Sequence, residues 1–257
     1  MVITLLQLNI YGGMYWEELL PYLTTNDFDI IHLQELVGAN THTGKLNSKR
    51  DVYAELLKKL QHIYDSELAI AQRYTSSPFA YMGNATFFKK TFSLIEKKEI
   101  TISTYGGAFP SDSKSFESVG RKILHLILKI DNKNVSFINT HLAWAKTPKE
   151  EPHQTEQGKK VIEYLQSIPH PFVFSGDFNL DPQQQTIQNI NKLARNLTEE
   201  FKVSNTLNPR THRAKELFPP GVAVDYIYIT GDLKIKDFAV IQEDISDHFG
   251  LTAEIEI

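Results

Sequence analysis

Several strand-like segments of this sequence end in polar side chains that can bind a metal ion or transfer a proton. In packed α/β proteins, loops at strand ends converge over a rigid scaffold, so such side chains are expected to meet at one edge. Asp225 is a further candidate, because a carboxylate inside the apolar run 222–229 is costly unless it has a partner. The strand-like segments end at Asn9, Gln34-Glu35, His141, Asp177-Phe178-Asn179 and Asp247-His248. As a set, these residues predict a site for metal-assisted or acid–base chemistry.

Each segment also has an ordinary structural interpretation when it is taken alone. A glutamate after an apolar strand, such as Glu35, is often a solvated strand end or a helix cap. The segment Gly176-Asp177-Phe178-Asn179 could be a plain turn, since Gly and Asn tolerate positive φ. Ser246-Asp247-His248 could cap a helix. The prediction of a site therefore depends on the whole set.

The composition limits the kind of metal centre and the partners that are possible. The 257 residues include no cysteine, which excludes disulfides, a thiolate nucleophile and cysteine-ligated zinc. A metal must then be held by oxygen or imidazole, and oxygen-rich sites favour Mg²⁺, Mn²⁺ or Ca²⁺. The formal net charge of −4 argues against broad adhesion to nucleic acid or anionic membrane, but it leaves room for a local basic groove.

About ten strand-like runs and four or five amphipathic helical runs must position these residues. The helices are expected at 14–23, 48–63, 154–168 and 182–193. Ser48 is expected to cap the second of them, and Asp181 the fourth, with Pro182 at its first position. Some strands are separated by helices and others are joined as hairpins. This mixture favours an α/β protein in which two mixed sheets pack together.

The motifs together resemble the endonuclease/exonuclease/phosphatase superfamily, which has the deoxyribonuclease I-like fold. The resemblance covers nearly the whole chain. It implies one domain over residues 1–257, a four-layer α/β sandwich of two mixed sheets packed face to face with helices outside, and Mg²⁺- or Mn²⁺-dependent hydrolysis of phosphate esters. The matching motifs are Leu8-Asn9, Leu33-Gln34-Glu35, Gly83-Asn84-Ala85, Asn139-Thr140-His141-Leu142, Gly176-Asp177-Phe178-Asn179, Val224-Asp225-Tyr226-Ile227 and Ser246-Asp247-His248.

Metal binding is expected at three of these positions. Glu35 is the principal candidate ligand, because a carboxylate is the preferred donor to Mg²⁺. Asn9 would add a carbonyl oxygen, directly or through water, and Asp247 would act as a second acidic ligand or as an orienting group. Relatives use one or two metal ions, and both remain possible here.

The catalytic roles are expected at five positions. His248 is the general base or a phosphate-binding imidazolium, and the resemblance pairs it with Asp225, which would fix its tautomer. Asp177 would orient or deprotonate the attacking water, and Asn179 would donate its amide to a phosphate oxygen. Whether Asp177 or His248 removes the proton is left open. His141 is expected to contact the phosphate opposite His248.

The remaining candidates concern phosphate contacts near His141. Thr140-His141-Leu142 argues against the abasic-endonuclease branch, where a different residue is expected. In the deoxyribonuclease-like branch a glutamate orients this histidine, but residues 84–88 contain none. Arg121 is a candidate for a bidentate phosphate contact or an ordinary surface arginine. Asn84 is a substrate-binding candidate that would support the site.

Three loops, 37–50, 143–153 and 205–221, are expected to select the substrate. The basic residues Lys45, Lys49 and Arg50 in the first, and Arg210, His212, Arg213 and Lys215 in the third, could track a nucleic acid or simply face solvent. Aromatic residues in or beside loops could stack on bases or pack locally: Tyr11, Tyr15, Trp16, Trp144 and Phe218.

Three functions are compatible with these features. We favour a nuclease or a phosphodiesterase that processes DNA ends. The alternative is a phosphatase or phosphodiesterase for lipid head groups or other small phosphate esters. A catalytically inactive interaction module ranks last, because the acidic and imidazole residues are all present.

The N-terminal residues carry no basic segment or cleavage site, and the apolar stretch is too short to span a bilayer. A cytoplasmic monomer without membrane insertion is expected.

Overall fold

The computed structural model describes residues 1–39, 41–43, 46–74, 79–104, 119–169 and 171–257, which form two six-stranded sheets and a small hairpin. In spatial order, the first sheet contains β13 (Lys234–Ile241), β14 (Gly250–Glu256), β1 (Val2–Asn9), β2 (Ile30–Val37), β6 (Tyr81–Lys89) and β5 (Tyr64–Arg73). The second contains β11 (Arg195–Asn196), β12 (Asp225–Ile229), β10 (Phe172–Asp177), β9 (Lys133–His141), β8 (Arg121–Ile130) and β7 (Ser93–Ser103). The hairpin is β3 (Thr41–Thr43) with β4 (Leu46–Ser48). Both large sheets are mixed, because β1 and β2 are parallel, as are β9 and β10, among otherwise antiparallel pairs.

Helices cover the outer faces of both sheets. The described helices are α1 (Trp16–Thr25), α2 (Val52–Leu60), α3 (Pro152–Gln166), α4 (Gln185–Ile190) and α5 (Leu197–Glu200). Leu19 of α1 and Leu56 of α2 pack with Leu6 on the first sheet, and Val161 of α3 packs with Phe174 on the second. The predicted four-layer α/β sandwich is therefore confirmed. None of the described helices is long and apolar enough to cross a membrane.

The four predicted helices are all present, but two of the predicted caps are wrong. The N-cap of α2 is Asp51, whose carboxylate accepts from the backbone N–H of Ala54 at 2.9 Å, so Ser48 lies outside the helix in β4. The N-cap of α4 is Gln184. Asp181 and Pro182 belong to the preceding turn, because the Asp181 carboxylate accepts from the side-chain amide of Gln184 at 2.8 Å.

The space between the sheets changes from apolar to polar along the strands. On β1, Ile3 and Leu5 belong to the apolar core between the sheets, and Gln7 and Asn9 continue the same face, since alternate residues share a face. The other central strands follow the same pattern. The polar half of this layer lies at the carboxyl ends of β1, β2, β9 and β10, where His32, Gln34, Asn139, His141, Ser175 and Asp177 are buried. The sequence pattern thus places a buried polar layer beside the predicted site.

Four hydrogen-bonded side-chain pairs connect the two sheets through this polar layer. Because buried polar groups are costly unless they are paired, these contacts restrict how the sheets can slide. The pairs are Gln7 Nε2 to Asp225 Oδ1 at 2.9 Å, Asn9 Nδ2 to Asp177 Oδ2 at 2.9 Å, His32 Nδ1 with Ser175 Oγ at 2.7 Å, and Gln34 Nε2 to Asn139 Oδ1 at 2.8 Å. Asn139 also donates to the backbone carbonyls of Leu33 at 3.1 Å and Ala85 at 2.9 Å.

We expect Asn139→Ala to lower the free energy of unfolding by about 3 kcal/mol, since one unsatisfied buried polar group costs about 1–3 kcal/mol. The change would remove the acceptor of the Gln34 amide and the side-chain donor to two carbonyls on the first sheet. Urea denaturation followed by circular dichroism measures the effect. Asn134→Ala is the control, because Asn134 is exposed on the same strand and should change stability by less than about 0.5 kcal/mol. Equal effects of the two substitutions would contradict the prediction.

Candidate active site

Strand register brings the predicted site residues to one edge of the two sheets. On the first sheet, Asn9 at the end of β1 is the register partner of Gln34 on β2. On the second sheet, Asp177 at the end of β10 lies between its two register partners, His141 on β9 and Asp225 on β12. The Asn9–Asp177 hydrogen bond then joins the two edges.

His248 and Asp225 form a buried pair. His248 Nδ1 lies 2.8 Å from Asp225 Oδ2, which also accepts from Thr206 Oγ1 at 2.7 Å. The other carboxylate oxygen accepts from Gln7, so both oxygens of Asp225 have partners. Burial alone would lower the pKa of His248, but the carboxylates of Asp225 and Asp177 raise it well above its ordinary value. The imidazole is therefore held in one orientation and favours the protonated form.

Asp177 lies close to both imidazoles of the site. Its Oδ2 atom is 3.5 Å from His141 Nε2 and 3.9 Å from His248 Nε2. The same oxygen accepts from the Asn9 amide, and Oδ1 accepts from the backbone N–H of Asn179 at 2.9 Å. Burial raises the pKa of Asp177 to about 6, against the opposing effect of His248. This carboxyl group can gain or lose a proton near neutral pH.

Glu35 reaches the site because of a β-bulge. Leu33 pairs with Ala85 and Leu36 with Gly83, so the two residues 34 and 35 lie opposite one residue of β6. Glu35 has φ 58°, and its Oε1 atom lies 3.9 Å from His141 Nε2. Burial and the nearby Asp177 raise the pKa of Glu35.

Asp247 supplies a third carboxyl group beside His248. Burial raises the pKa of Asp247 to about 6, with an opposing effect of His248 and a further increase from Glu35. Ligand atoms of Asp247, His248 and His212 lie within 4.8 Å of one another. This residue therefore faces both the predicted metal position and the loop 205–221.

Asn179 and His141 contact each other directly. Asn179 Nδ2 donates to the Leu142 carbonyl at 3.1 Å and lies 3.1 Å from His141 Nε2. The second amide hydrogen of Asn179 is then directed to His141 Nε2. This nitrogen accepts the hydrogen bond, so the imidazole ring is neutral. Burial, followed by the positive charges of Arg121 and His248, lowers the pKa of His141 well below its ordinary value. Asn179 is thus a hydrogen-bond partner of His141, for which residues 84–88 offer no glutamate.

Asp177 and Asn179 reach the site through a bend in the chain. The strand ends at Asp177, and Asn179 has φ 53°. Gly176 is required just before this bend, because a Cβ there would lie 2.0 Å from the Thr140 carbonyl oxygen. The turn brings both polar side chains into the site by bending the chain.

Arg121 and Asn84 have different positions relative to the site. Arg121 is buried, lines the central cavity, and has an Nε atom without a hydrogen-bond partner among the described residues. Burial lowers its pKa, whereas Glu35 and Asp177 oppose the shift. Asn84 lies opposite the bulge and donates to the Lys122 carbonyl at 3.1 Å, so its amide connects the two sheets. The structure therefore places Asn84 in a supporting position outside the cavity lining.

Sequence reasoning missed Gln7 and Thr206, which hold Asp225. It named Tyr11 and His212, which line the cavity, only as loop residues that could contact a nucleic acid, pack locally or face solvent. Gln7 could have been found, because it precedes Asn9 by two positions on the same strand face. Thr206 and His212 lie in a loop and Tyr11 in a short 3-10 helix, where no local pattern shows which way a side chain points. The Tyr11 hydroxyl is buried without a hydrogen-bond partner in the described part of the chain, and burial raises its pKa to about 12.

A cavity of about 520 Å³ opens directly over these groups. Its floor contains Glu35, Asp177, Asn179, Asp247 and His248. The segments Trp144–Pro148 and His212–Ala214 and the side chain of Arg121 also line the cavity. The volume lies in the range of pockets that hold small molecules, and its polar groups converge on one end. Lys45 and residues 105–118 of the loop before Arg121 lie outside the described residues.

The donor set at the cavity floor fits a divalent cation. Glu35, Asp177 and Asp247 are three buried or partly buried carboxyl groups whose pKa values are raised, so their negative charges lack sufficient compensation from the protein alone. Carboxylate oxygens are the ligands preferred by hard cations. Asn9 donates to Asp177, and its carbonyl oxygen accepts from the Tyr11 backbone N–H at 3.0 Å.

Comparisons with known proteins agree with this fold and site. The profile of the endonuclease/exonuclease/phosphatase family matches residues 6–248, and the chain belongs to this family, whose members are divalent-metal-dependent phosphoesterases. No curated protein compared with the chain matches it significantly.

Solved structures that share this fold include proteins with different described activities. A mannosyl-6-phosphatase from Bacteroides thetaiotaomicron has a TM-score of 0.70 and 16% identity, over 99% of this chain and 100% of that chain. TDP2 from D. rerio, in complex with a single-stranded DNA product, also has a TM-score of 0.70 and 16% identity, over 100% and 99%. A family protein from Bacteroides vulgatus reaches 0.73 at 16% identity, over 100% and 99%. At this identity the likeness concerns the fold alone.

We expect Asp225→Asn and His248→Ala each to lower kcat/KM by about 100-fold or more, as for the loss of a positioned proton-transfer group. The double variant should lose about as much as either single variant, because the two side chains act as one unit. Steady-state kinetics on a phosphoester that the wild-type protein hydrolyses provides the measurement, with circular dichroism to verify folding. Losses that simply multiply would contradict the pairing.

We expect Mg²⁺ or Mn²⁺ to raise the Tm of the protein at pH 7.5. Below pH 6 we expect this increase in Tm to disappear. The raised pKa values of Asp177 and Asp247 mean that these carboxyl groups destabilise the metal-free fold as pH rises from about 4 to about 6. Above that pH the charged groups bind the cation, and a concentration of 100 times Kd would add about 2.7 kcal/mol. Calorimetry on protein freed of metal by a chelator tests this.

Variants of single carboxyl groups complete the metal experiment. Glu35→Gln and Asp247→Asn should weaken the stabilisation by metal, whereas Asp232→Asn in an exposed turn should retain it. A Tm at pH 7.5 that does not depend on metal in the wild-type protein would contradict the prediction.

Proposed function

We propose that this protein is a Mg²⁺-dependent phosphodiesterase that hydrolyses a phosphodiester bond near the end of a nucleic-acid strand. The observation that carries the proposal is the buried His248–Asp225 pair beside Asp177, at the floor of a cavity that also holds Asn179. This arrangement combines a group that accepts a proton, a cationic group and neutral hydrogen-bond donors around one position. Hydrolysis of a phosphate ester requires these components.

Asp177 is the proposed general base. Its pKa of about 6 leaves it mostly ionised at neutral pH, yet basic enough to accept a proton from water. Asn9 and the backbone N–H of Asn179 hold its two oxygens in place. The attacking water would form the new P–O bond as the bond to the leaving oxygen breaks.

His248 is the proposed phosphate-binding cation. Its raised pKa favours the imidazolium, with Nδ1–H directed to Asp225 and Nε2–H directed into the cavity. Arg121 would supply a further donor to the phosphate oxygens, and the Asn179 amide would do so by exchanging its contact with His141 for one with the phosphate. Removal of one such donor commonly costs a factor of about 100 to 1000 in rate in related types of catalysis.

Glu35 and Asp247 are the residues that would hold the metal ion, with Asn9 as an additional oxygen donor or as the group that orients Asp177. A bound Mg²⁺ supplies Lewis-acid stabilisation of negative charge on the phosphate and the leaving oxygen. The bulge at Glu35 and the buried position of Asp247 would fix these oxygens before the substrate enters.

Two residues that line the cavity favour the end of a nucleic-acid strand as the substrate. Trp144 is 40% exposed at the wall, where an indole can stack on a base, and Lys146 is exposed two residues later. The TDP2 structure with a single-stranded DNA product has the same fold, which adds weight to this substrate class.

A small phosphate ester is the second candidate substrate. Several basic residues that could track a nucleic acid are engaged within the protein instead. Arg50 lies 3.6 Å from the Glu55 carboxylate, Arg210 donates to Asp244 at 2.7 Å, and Lys215 donates to the Pro209 carbonyl at 2.8 Å. The fold is also that of a mannosyl-6-phosphatase.

We expect purified protein to cleave single-stranded DNA with Mg²⁺, and to lose this activity in a chelator or in the His248→Ala variant. The panel should include double-stranded DNA, RNA, a tyrosyl-linked oligonucleotide, a sugar 6-phosphate, a phosphorylated inositol and a choline phospholipid. Turnover confined to the small esters would replace the nucleic-acid proposal with the second candidate. Equal activity of wild-type and His248→Ala protein on every substrate would contradict the proposed site.

A further inference from the structure

His212 faces the catalytic pair from the loop 205–221. Its ring lines the cavity and meets the His248 ring edge to face, with centroids 5.8 Å apart and an interplanar angle of 73°. On its other side it contacts Phe218, with ring centroids 6.2 Å apart. The imidazole is thus held between an aromatic ring and the catalytic histidine.

The hydrogen bonds of His212 determine which ring nitrogen carries the hydrogen. The backbone N–H of Ala214 donates to Nδ1 at 3.2 Å, so Nδ1 presents a lone pair. An imidazole that accepts at Nδ1 carries its hydrogen at Nε2. The side chain therefore offers an N–H donor at Nε2, and one nitrogen of its ring lies within 4.8 Å of ligand atoms of His248 and Asp247.

The loop that carries His212 is anchored on the segment before His248. The Asn208 amide and the Arg210 guanidinium both donate to Asp244, at 2.8 Å and 2.7 Å. Thr211 Oγ1 donates to the Ser246 carbonyl at 2.9 Å, and the His212 backbone N–H donates to the Asn208 carbonyl at 2.7 Å. These contacts fix the position of the imidazole relative to His248, as a substrate contact requires.

We propose that His212 is a further catalytic residue, whose Nε2–H donates a hydrogen bond to an oxygen of the substrate phosphate on the loop side of His248. The proposal rests on the proposed phosphoesterase function of the same cavity. His212 supplies this donor from a loop outside the polar strand ends. It complements Asn179 and Arg121, which contact the cavity from other elements.

The same atoms could be considered a metal site, since His212, Asp247 and His248 lie close together. A metal ion needs a lone pair from each imidazole. His212 presents N–H at Nε2, and His248 uses Nδ1 in its pair with Asp225. The hydrogen bonds therefore favour a donor to phosphate over a metal ligand.

His212→Ala and His212→Gln test the proposal, because the glutamine amide can restore a donor near the position of Nε2. We expect His212→Ala to lower kcat/KM about 10- to 100-fold, as for loss of a hydrogen bond to a charged group, and His212→Gln to recover most of the loss. His62→Ala is the control, since His62 is exposed in the turn after α2. Equal kcat/KM for wild-type and His212→Ala protein would overturn the proposal.

Binding of inorganic phosphate in the presence of Mg²⁺, measured by calorimetry, provides a test that needs no turnover. The Kd for phosphate should rise about tenfold or more in His212→Ala, while the Kd for Mg²⁺ measured alone stays within twofold. Weaker Mg²⁺ binding in the variant, with unchanged phosphate binding, would identify a metal ligand and overturn the proposal. If the wild-type protein binds phosphate through His212 but hydrolyses nothing in the panel, only the proposed function fails.

Discussion

The buried polar layer between the two sheets is the constraint on which the rest of this structure depends. Protein interiors tolerate amide, imidazole and carboxyl groups only when their hydrogen bonds are made. Here each sheet supplies hydrogen-bond partners to polar side chains of the other, which favours one register between the sheets. Asp177 and Asp225 belong to this layer and to the site at once. The groups that align the sheets therefore also fix the positions of the acidic side chains at the cavity floor.

This arrangement places several acidic groups where water cannot fully solvate them. Burial raises the pKa values of Asp177 and Asp247, and the cationic side chains of Arg121 and His248 oppose the accumulated negative charge. The protein tolerates this because the fold has a large apolar core elsewhere. A site of this kind favours cations, because a bound cation relieves the excess of buried negative charge.

The fold class and the residues that gather at one edge of the sheets could be predicted from the sequence. The reason is that an apolar run that ends in polar residues indicates both a strand and the end of that strand at which polar side chains gather. Cap positions were less certain, because Asp51 and Ser48 both satisfy the local rule and tertiary contacts choose between them. His212 could not be assigned to the cavity, since only the folding of a long loop brings it to His248. The hydrogen bond from Arg210 to Asp244 could not be predicted either, because it also depends on how this loop folds.

The bulge in β2 has a consequence for how this site can be gained or lost over evolution. Regular alternation would send Glu35 to the outer face, among the apolar residues under α1 and α2, which Leu36 occupies instead. The carboxylate faces the cavity because the strand contains one residue more than its partner. Deletion of the codon for residue 34 or 35 would restore regular pairing, but only one of the two polar side chains would then remain on this face. The strand would lose either the Gln34 amide that joins the sheets or the Glu35 carboxylate. Conversely, an insertion of one residue into a plain strand can add such an inward-facing carboxylate in one step, without any change to the side chains around it.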